Sequence, residues 1–313
     1  MRIVRGLEAL PLDDEPSVVT VGFFDGVHLG HREVLRATVE DARAVGVRSV
    51  AVTFDRHPRE VLTPSDVPRL LTTVERRASL IGTTGIDVLV VLAFTPELSR
   101  VPAEEFVSDV LVGGLHAVRA RMGANFTFGY KAQGNVEVLK ELGAPFGLTA
   151  EGVPLVQVGG RTVSSSSVRE ALAAGDLSWP RIALGRRFVV DGEVVAGAGR
   201  GAGLGYPTAN LRTWPRLLLP GQGIYAGAAE LADGSRRLAA IDVGTNPTFG
   251  VEPLHVEAFL LDYEGGEIRG EGLAVEFWER LRDEVRFERV EELIEAIADD
   301  VERTRTVVDP AEA

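Results

Sequence analysis

The sequence contains no cysteine, which excludes a disulfide framework, a thiolate nucleophile and any cysteine-held zinc or iron–sulfur cluster. It is almost as poor in lysine: of 33 basic residues only Lys131 and Lys140 are lysines. Phosphate handling is therefore expected to rest on arginine, histidine, backbone amides or a metal. The absence of a GxxxxGK[ST] stretch excludes a P-loop. Long hydrophobic runs are also missing. The longest, Val88 to Phe94, has seven residues, far short of a membrane span, and the start MRIVRGLEALPLDDEP lacks the apolar segment of a secretory signal. A cytoplasmic protein with no membrane partner is expected. Positive charge is in deficit, with a net charge of −13, which argues against a nucleic-acid partner.

The chain has 313 residues, and at roughly 100–200 residues per domain this length predicts two domains. From Ser17 to about Gly175, β-branched runs alternate with segments of helical period, the pattern of a parallel sheet flanked by helices. Val18–Val21, Ser49–Phe54, Val88–Phe94, Ala117–Met122 and Val153–Val158 read as buried strands. Leu35, Val39, Ala42 and Val45 recur at helical spacing, and Pro102–Leu111 and Val168–Ala174 read as further helices. Beyond Gly175 the texture changes to short alternating stretches broken by glycine, Phe188–Val195, Ile224–Leu231, Leu238–Val243, Val256–Leu261 and Leu273–Phe277, which predict an antiparallel barrel or sandwich. Val290 to Arg305 then reads as a closing amphipathic helix whose acidic residues form a solvated face. The fold class is α/β plus all-β, with the first domain at residues 1–180 and the second at 181–313.

Two constellations carry chemistry. In the first, Gly22-Phe-Phe-Asp-Gly-Val-His-Leu-Gly-His31 lies where a strand gives way to a helix, and a helix N-terminus offers free N–H groups and a positive dipole end to phosphate. His28 and His31, three apart, are positioned to donate to one anion, although a tight turn with structural histidines gives the same spacing. His28, His31 and His57, three of only five histidines, fall at the carboxyl ends of expected strands, where an open α/β sheet places its ligand crevice. Gly123-Ala-Asn-Phe-Thr-Phe-Gly129 sets Asn125 before Phe126 and Phe128, which are either core residues or stacking faces for a flat ring. In Val163-Ser-Ser-Ser-Ser-Val-Arg169, capping accounts for one serine, and the surplus hydroxyls with Arg169 suit a polyphosphate.

The second constellation begins with the glycine-rich stretch Gly197 to Gly205, either a flexible hairpin or a phosphate wrap that includes Gly201, Gly203 and Gly205. Thr208 and Asn210 follow at strand spacing, so both face one side as oxygen ligands suited to magnesium beside phosphates. Glu257, in the otherwise apolar run Val256–Leu261, is either paired and structural or raised in pKa and poised to accept a proton.

The stretches GFFDGVHLGH, TFDRHP, GANFTFG and VSSSSVR, followed by GRGAGLGYPTANL, GTNPTFG, VEAFLLD and LRDEVRF, resemble the bacterial bifunctional riboflavin kinase/FMN adenylyltransferase (FAD synthetase) family over roughly residues 15 to 305. The resemblance implies a Rossmann-like nucleotidyltransferase domain and a six-stranded kinase barrel. Riboflavin would be phosphorylated by Mg-ATP to FMN, and FMN adenylylated by ATP to FAD with release of pyrophosphate. It further implies that Gly22, Phe23, His28, His31, Ser165, Ser166 and Arg169 handle ATP, and that Phe54, His57, Pro58, Asn125 and Phe128 line the flavin and ATP crevice. In the kinase, Thr208 and Asn210 would assist Mg-ATP, Glu257 would be the base, and Arg282, Glu284 and Phe287 would border the flavin. The chain departs from the family at Arg56, at Ser166 and at Glu267–Gly270, the last expected to alter only a surface loop. Riboflavin, FMN and ATP are the expected partners, and the expected state is a monomer or weak homo-oligomer. The rival readings are a nucleotidylyltransferase for another phosphate-bearing acceptor and a non-catalytic flavin-binding regulator.

Overall fold

The apolar runs of the first half are continuous because their sheet is covered on both faces, as parallel sheets are. The computed structural model describes residues 1–197, 200–245 and 254–309, so Ala198 and Gly199 of the glycine loop and Asn246 to Gly250 of the GTNPTFG motif lie outside the described residues. The chain divides into two compact units, Met1–Pro68 with Val74–Ser165, and Arg69–Thr73 with Ser166–Ala313.

In the first unit β1 (Arg2–Arg5), β2 (Ser17–Val21), β3 (Arg48–Phe54), β4 (Val88–Leu92), β5 (Ala117–Gly123) and β6 (Thr149–Val153) form one six-stranded parallel sheet in the order β1-β4-β3-β2-β5-β6. Along β3 and β4 side chains alternate between two cores: Val50, Val52, Val90 and Leu92 face one layer, Ala51, Leu89 and Val91 the other. Each of these buried valines and leucines contributes about 1.5–3 kcal/mol. The helices are α1 (Leu29–Val45), α2 (Arg59–Leu62), α3 (Val74–Gly82), α4 (Ala103–Glu105, running on as a π-helix over Phe106–Gly114) and α5 (Val136–Gly143). From β2 the chain builds outward through β3 and β4 on one side, then returns to add β5 and β6 on the other. That reversal opens a crevice between the loops that follow β2 and β5.

Two sequence expectations are corrected. Val153–Val158 is not a buried strand: β6 ends at Val153, Pro154 follows, Leu155 is exposed, and Gln157–Val158 (β7) pairs only with Arg161–Thr162 (β8) in a small hairpin. β6 is an edge strand with only Ala150 and Val153 buried, so its sequence TAEGV carries no apolar run. β4 stops at Leu92, and Phe94 leaves the ladder to donate its N–H to the Asp55 carboxylate at 2.9 Å.

The second unit holds the rest of α6 (Ser165–Ala173), α7 (Ser178–Leu184) and six antiparallel strands. These are β9 (Phe188–Val195), β10 (Thr208–Thr213), β11 (Gly223–Leu231), β12 (Arg236–Gly244), β13 (His255–Leu260) and β14 (Gly272–Arg282). Closure in the order β10-β13-β12-β11-β14-β9 makes this a barrel, so neither end strand is left as an open edge. Ala209, Leu211, Ile241, Val243, Val256 and Ala258 are buried on one face of the strands, and the alternate residues carry the polar groups. A short helix, α8 (Arg200–Gly203), precedes β10. The closing helix α9 (Val290–Val307) packs on β11, β12 and β14.

Candidate active sites

β2 runs into a turn that few residues tolerate. Phe24 (φ 54°), Gly26 (φ 76°) and Val27 (φ 40°) are all left-handed, and His28 then returns to extended backbone as the cap of α1. His28 is buried, and its Nδ1 accepts the His31 backbone N–H at 3.3 Å, which places the proton of the neutral ring on Nε2. The two imidazoles stack, 3.6 Å between centroids. Gly30 makes room for them: a Cβ there would lie 3.2 Å from the His28 ring.

A buried arginine that sequence reasoning missed fixes this end of the sheet. Arg77, 1% exposed, donates to the carbonyls of Phe23 (2.7 Å) and Phe54 (2.6 Å) and lies 4.3 Å over the Phe23 ring. Thr53 Oγ1 donates to the same Phe23 carbonyl at 3.0 Å. Burial pushes the guanidinium down to about 10 against the pull of Asp25, Glu75 and Asp55, and it stays charged at neutral pH. A signal existed in the sequence, because Arg77 shares the apolar face of α3 with Val74, Ala78 and Ile81.

A cleft of about 540 Å³ opens at the crevice. Of the expected residues, Gly22, Phe23, His31, Phe54, Pro58, Asn125 and Phe128 line it, together with Leu98, Phe106 and Lys131. Phe128 serves both open readings, since it lines the cleft and belongs to the core cluster, stacked at 5.8 Å on Phe126. His28 supports the wall through His31. His57 packs edge-on against Phe23 at 4.9 Å and holds the start of α2, its Nδ1 accepting from Arg59 N at 3.1 Å while Glu60 accepts from His57 N at 3.0 Å. Arg56 pairs with Asp55 at 3.1 Å on the surface. Ser165 Oγ donates to the Asp25 carbonyl at 3.0 Å, tying the start of α6 to the turn. Ser166 and Arg169 group with the second unit, where Ser166 is exposed and Arg169 Nε donates to the Arg69 carbonyl at 2.7 Å.

In the barrel, register assembles the site. Asn210 lies opposite Glu257, Glu257 opposite Asp242, Asp242 opposite Ile224, and Ile224 opposite Arg282. Directly opposed residues of antiparallel strands share a face, so these five form a lateral row. Thr208, two residues before Asn210, joins the same face and donates its hydroxyl to Glu257 Oε2 at 2.9 Å. His255 Nε2 stands 3.4 Å from Glu257 Oε1, and this contact holds the imidazole pKa above its ordinary value. All of these residues, Ile224 included, together with Glu284 and Phe287, surround a cleft of about 420 Å³. Arg282 is held by the buried Asp300 of α9 at 2.7 Å, and its guanidinium lies 5.8 Å from the Phe287 ring. The acidic face of α9 is therefore not all solvated: Leu293, Ile297 and Asp300 wall the cleft.

Asp242 is the second group that sequence reasoning missed. Burial, reinforced by Glu284 and Glu257, pushes its carboxyl up to about 7 despite His255 and Arg282. Gln222 is hydrogen-bonded to Glu284. Of the glycines, Gly201 lines this cleft and its carbonyl accepts from Leu204 and Tyr206; Gly205 (φ 89°) lines an adjoining groove of about 690 Å³, and Gly203 lines neither. Thr208 and Asn210 border both spaces. Glu267, Ile268 and Arg269 also line the adjoining groove, which Thr208 and Asn210 border.

Residues 10–167 match the family model of FAD synthetase, and residues 184–308 that of riboflavin kinase. The chain is 37% identical over 312 residues to a bifunctional riboflavin kinase/FMN adenylyltransferase of Pseudomonas fluorescens, covering 99% of each sequence. It is 31% identical over 302 residues to the protein so described in Escherichia coli K12, covering 96% of each. Among solved structures it is similar to one described as a macrolide-efflux protein from Streptococcus pneumoniae, with a TM-score of 0.88 and 28% identity over 97% of this chain and 99% of that one. No described helix of this chain is long and apolar enough to cross a membrane.

Proposed function

This chain belongs to the bifunctional riboflavin kinase/FMN adenylyltransferase family and is an enzyme of both reactions, and we propose that residues 1–180 carry the adenylyl transfer and residues 181–313 the kinase. The observation that supports this division is that His31 and Asn125 border a cleft inside the first compact unit and Thr208, Asn210 and Glu257 one inside the second, although Ser166 and Arg169 of the first motif set group with the second unit.

For adenylyl transfer, the FMN phosphate attacks the α-phosphorus of ATP and pyrophosphate leaves, with no covalent enzyme intermediate. Asn125, Phe54, Pro58 and Phe128 hold the flavin in the apolar cleft, and His57 sets the position of Phe23. His28, with its ring proton on Nε2, and His31 donate to the α-phosphate, whose charge grows in the transition state. Gly22 and Phe23 bring the backbone close to ATP.

In the kinase, Glu257 takes the proton of the riboflavin 5′-hydroxyl as that oxygen attacks the γ-phosphorus, the bond to the β–γ bridging oxygen breaks, and ADP leaves. Its second oxygen is already engaged by Thr208, which holds the carboxylate in one orientation. Thr208 and Asn210 offer hard oxygen ligands that fit Mg²⁺, and Thr208 donates its proton elsewhere, leaving its oxygen lone pairs to a cation. Among the described residues no group of three or more His, Asp or Glu side chains is arranged to hold a metal, so the ion would be shared with the phosphates of ATP. When bound, it neutralises phosphate charge. Arg282, Glu284 and Phe287 border the flavin.

The protein acts on small molecules in the cytoplasm, without nucleic acid, as a monomer or weak homo-oligomer. Incubation with riboflavin, ATP and magnesium is expected to yield FMN first and FAD second. Formation of neither product overturns the reading.

A further inference from the structure

Resting on the adenylyltransferase reading above, we propose that Lys131 is a specificity-determining residue of that reaction, holding the 5′-phosphate of FMN so that the first cleft accepts the phosphorylated flavin and not riboflavin. The scarcity of lysine first suggested that phosphate is handled without it. The cleft suggests otherwise. Lys131 is the one lysine or arginine among the described residues lining it, and no aspartate or glutamate lines it. The nearby Arg77 is committed to the Phe23 and Phe54 carbonyls and is buried. A phosphate dianion entering a mostly aromatic and aliphatic cleft needs a compensating cation, and ammonium–phosphate contacts are among the stronger hydrogen bonds.

The backbone is built to present this side chain. Lys131 (φ 55°) and Ala132 (φ 56°) are consecutive left-handed residues that are not glycine, following Gly129 (φ 73°). Such a conformation persists only where the surroundings over-determine it. Here they do. Phe128 and Gly134 exchange backbone hydrogen bonds at 3.0 and 2.8 Å across the loop, Tyr130 N donates to the Val101 carbonyl at 2.8 Å, and a Cβ on Gly129 would lie 2.7 Å from Ala103 N. The loop is pinned at both ends, and Lys131 stands at the mouth with its Nζ 5.2 Å from the Tyr130 ring. An ordinary surface lysine would not require two strained residues in succession.

The test is steady-state FAD synthesis by the full chain. Lys131→Met is expected to raise KM for FMN about 10- to 100-fold, the range for losing a charged hydrogen bond, with kcat within about threefold because the contact is made in ground and transition states alike. KM for ATP stays unchanged, Lys131→Arg recovers most of the loss, and the salt dependence of KM for FMN flattens in the methionine variant. The unchanged KM for ATP in FAD synthesis, with kcat retained, reports that the first unit, which carries Lys131, is folded. An unchanged KM for FMN, an equal rise in KM for ATP, or loss of activity in the arginine variant as well overturns the proposal. Failure of the unaltered protein to make FAD from supplied FMN overturns the underlying reading instead.

Discussion

The two clefts differ in their electrostatics, and on the proposed reading both must place phosphate beside a flavin. The first is built where parallel strands end, from backbone turns, two imidazoles and an apolar wall without a carboxylate in its lining. The second is built on the outward face of an antiparallel barrel and gathers Asp242, Glu257, Glu284 and Asp300 around a few cationic groups. A site short of negative charge accepts a phosphate anion directly. A site crowded with it suits a substrate that arrives neutralised by a divalent cation. The overall charge of −13 therefore says little about either ligand.

The comparison breaks most sharply at the base. Glu257→Ala should lower FMN formation by about 10²–10⁴-fold, the usual worth of a general base, while FAD formation from supplied FMN is retained. Chromatographic assay of both products would show it, and parallel loss of both activities would refute the division. The counterpart in the first unit is His28→Ala, expected to cost adenylyl transfer about 10²–10³-fold with riboflavin phosphorylation intact. A smaller effect, on structure and not chemistry, is expected from Arg77→Met. It takes the Arg77 donor from the Phe54 carbonyl, at about 1–3 kcal/mol, and leaves the Phe23 carbonyl with Thr53 alone. Thermal unfolding should then show the first unit melting several degrees earlier and the barrel unchanged.

The smallest effect is a pH dependence. The Asp242 carboxyl is raised from 3.8 to about 7 by burial and by the neighbouring Glu284 and Glu257, so between those values the folded state binds more protons than the unfolded one. Stability contributed by the protonated form is thus lost as pH rises through about 7. Asp242→Asn should flatten that decline, giving a barrel a few degrees more stable than the parent at pH 8, less so at pH 5, and nearly equal only below about pH 4. Melting curves across this range would measure it, and an identical slope in both proteins would disprove the account.

How much of each site was legible follows from how far apart its parts lie. Gly22 to His31 is contiguous, and the strand-to-helix change on either side of it is written in the periodicity. The row Asn210–Glu257–Asp242–Arg282 is not contiguous: it exists only through strand register. Thr208 and Asn210 were readable as a pair because they are two apart, but nothing local indicated that Thr208 would hold Glu257 or that Asp242 would face it. Asp300 looked like one more acidic residue on an exposed helix until packing buried it against Arg282.

By itself, the sequence determined the exclusion of thiol and P-loop chemistry, the succession of an α/β half and a β half, and the local motifs at Gly22–His31, Asn125 and Thr208–Asn210, because composition and short-range spacing need no partner to be read. Only the tertiary structure decided which carboxylates meet, what Arg77 supports, and that one of two lysines lines a mostly aromatic and aliphatic cleft. Those depend on strand register, on burial and on a strained loop pinned from elsewhere in the chain, and a linear pattern does not encode distances across the fold.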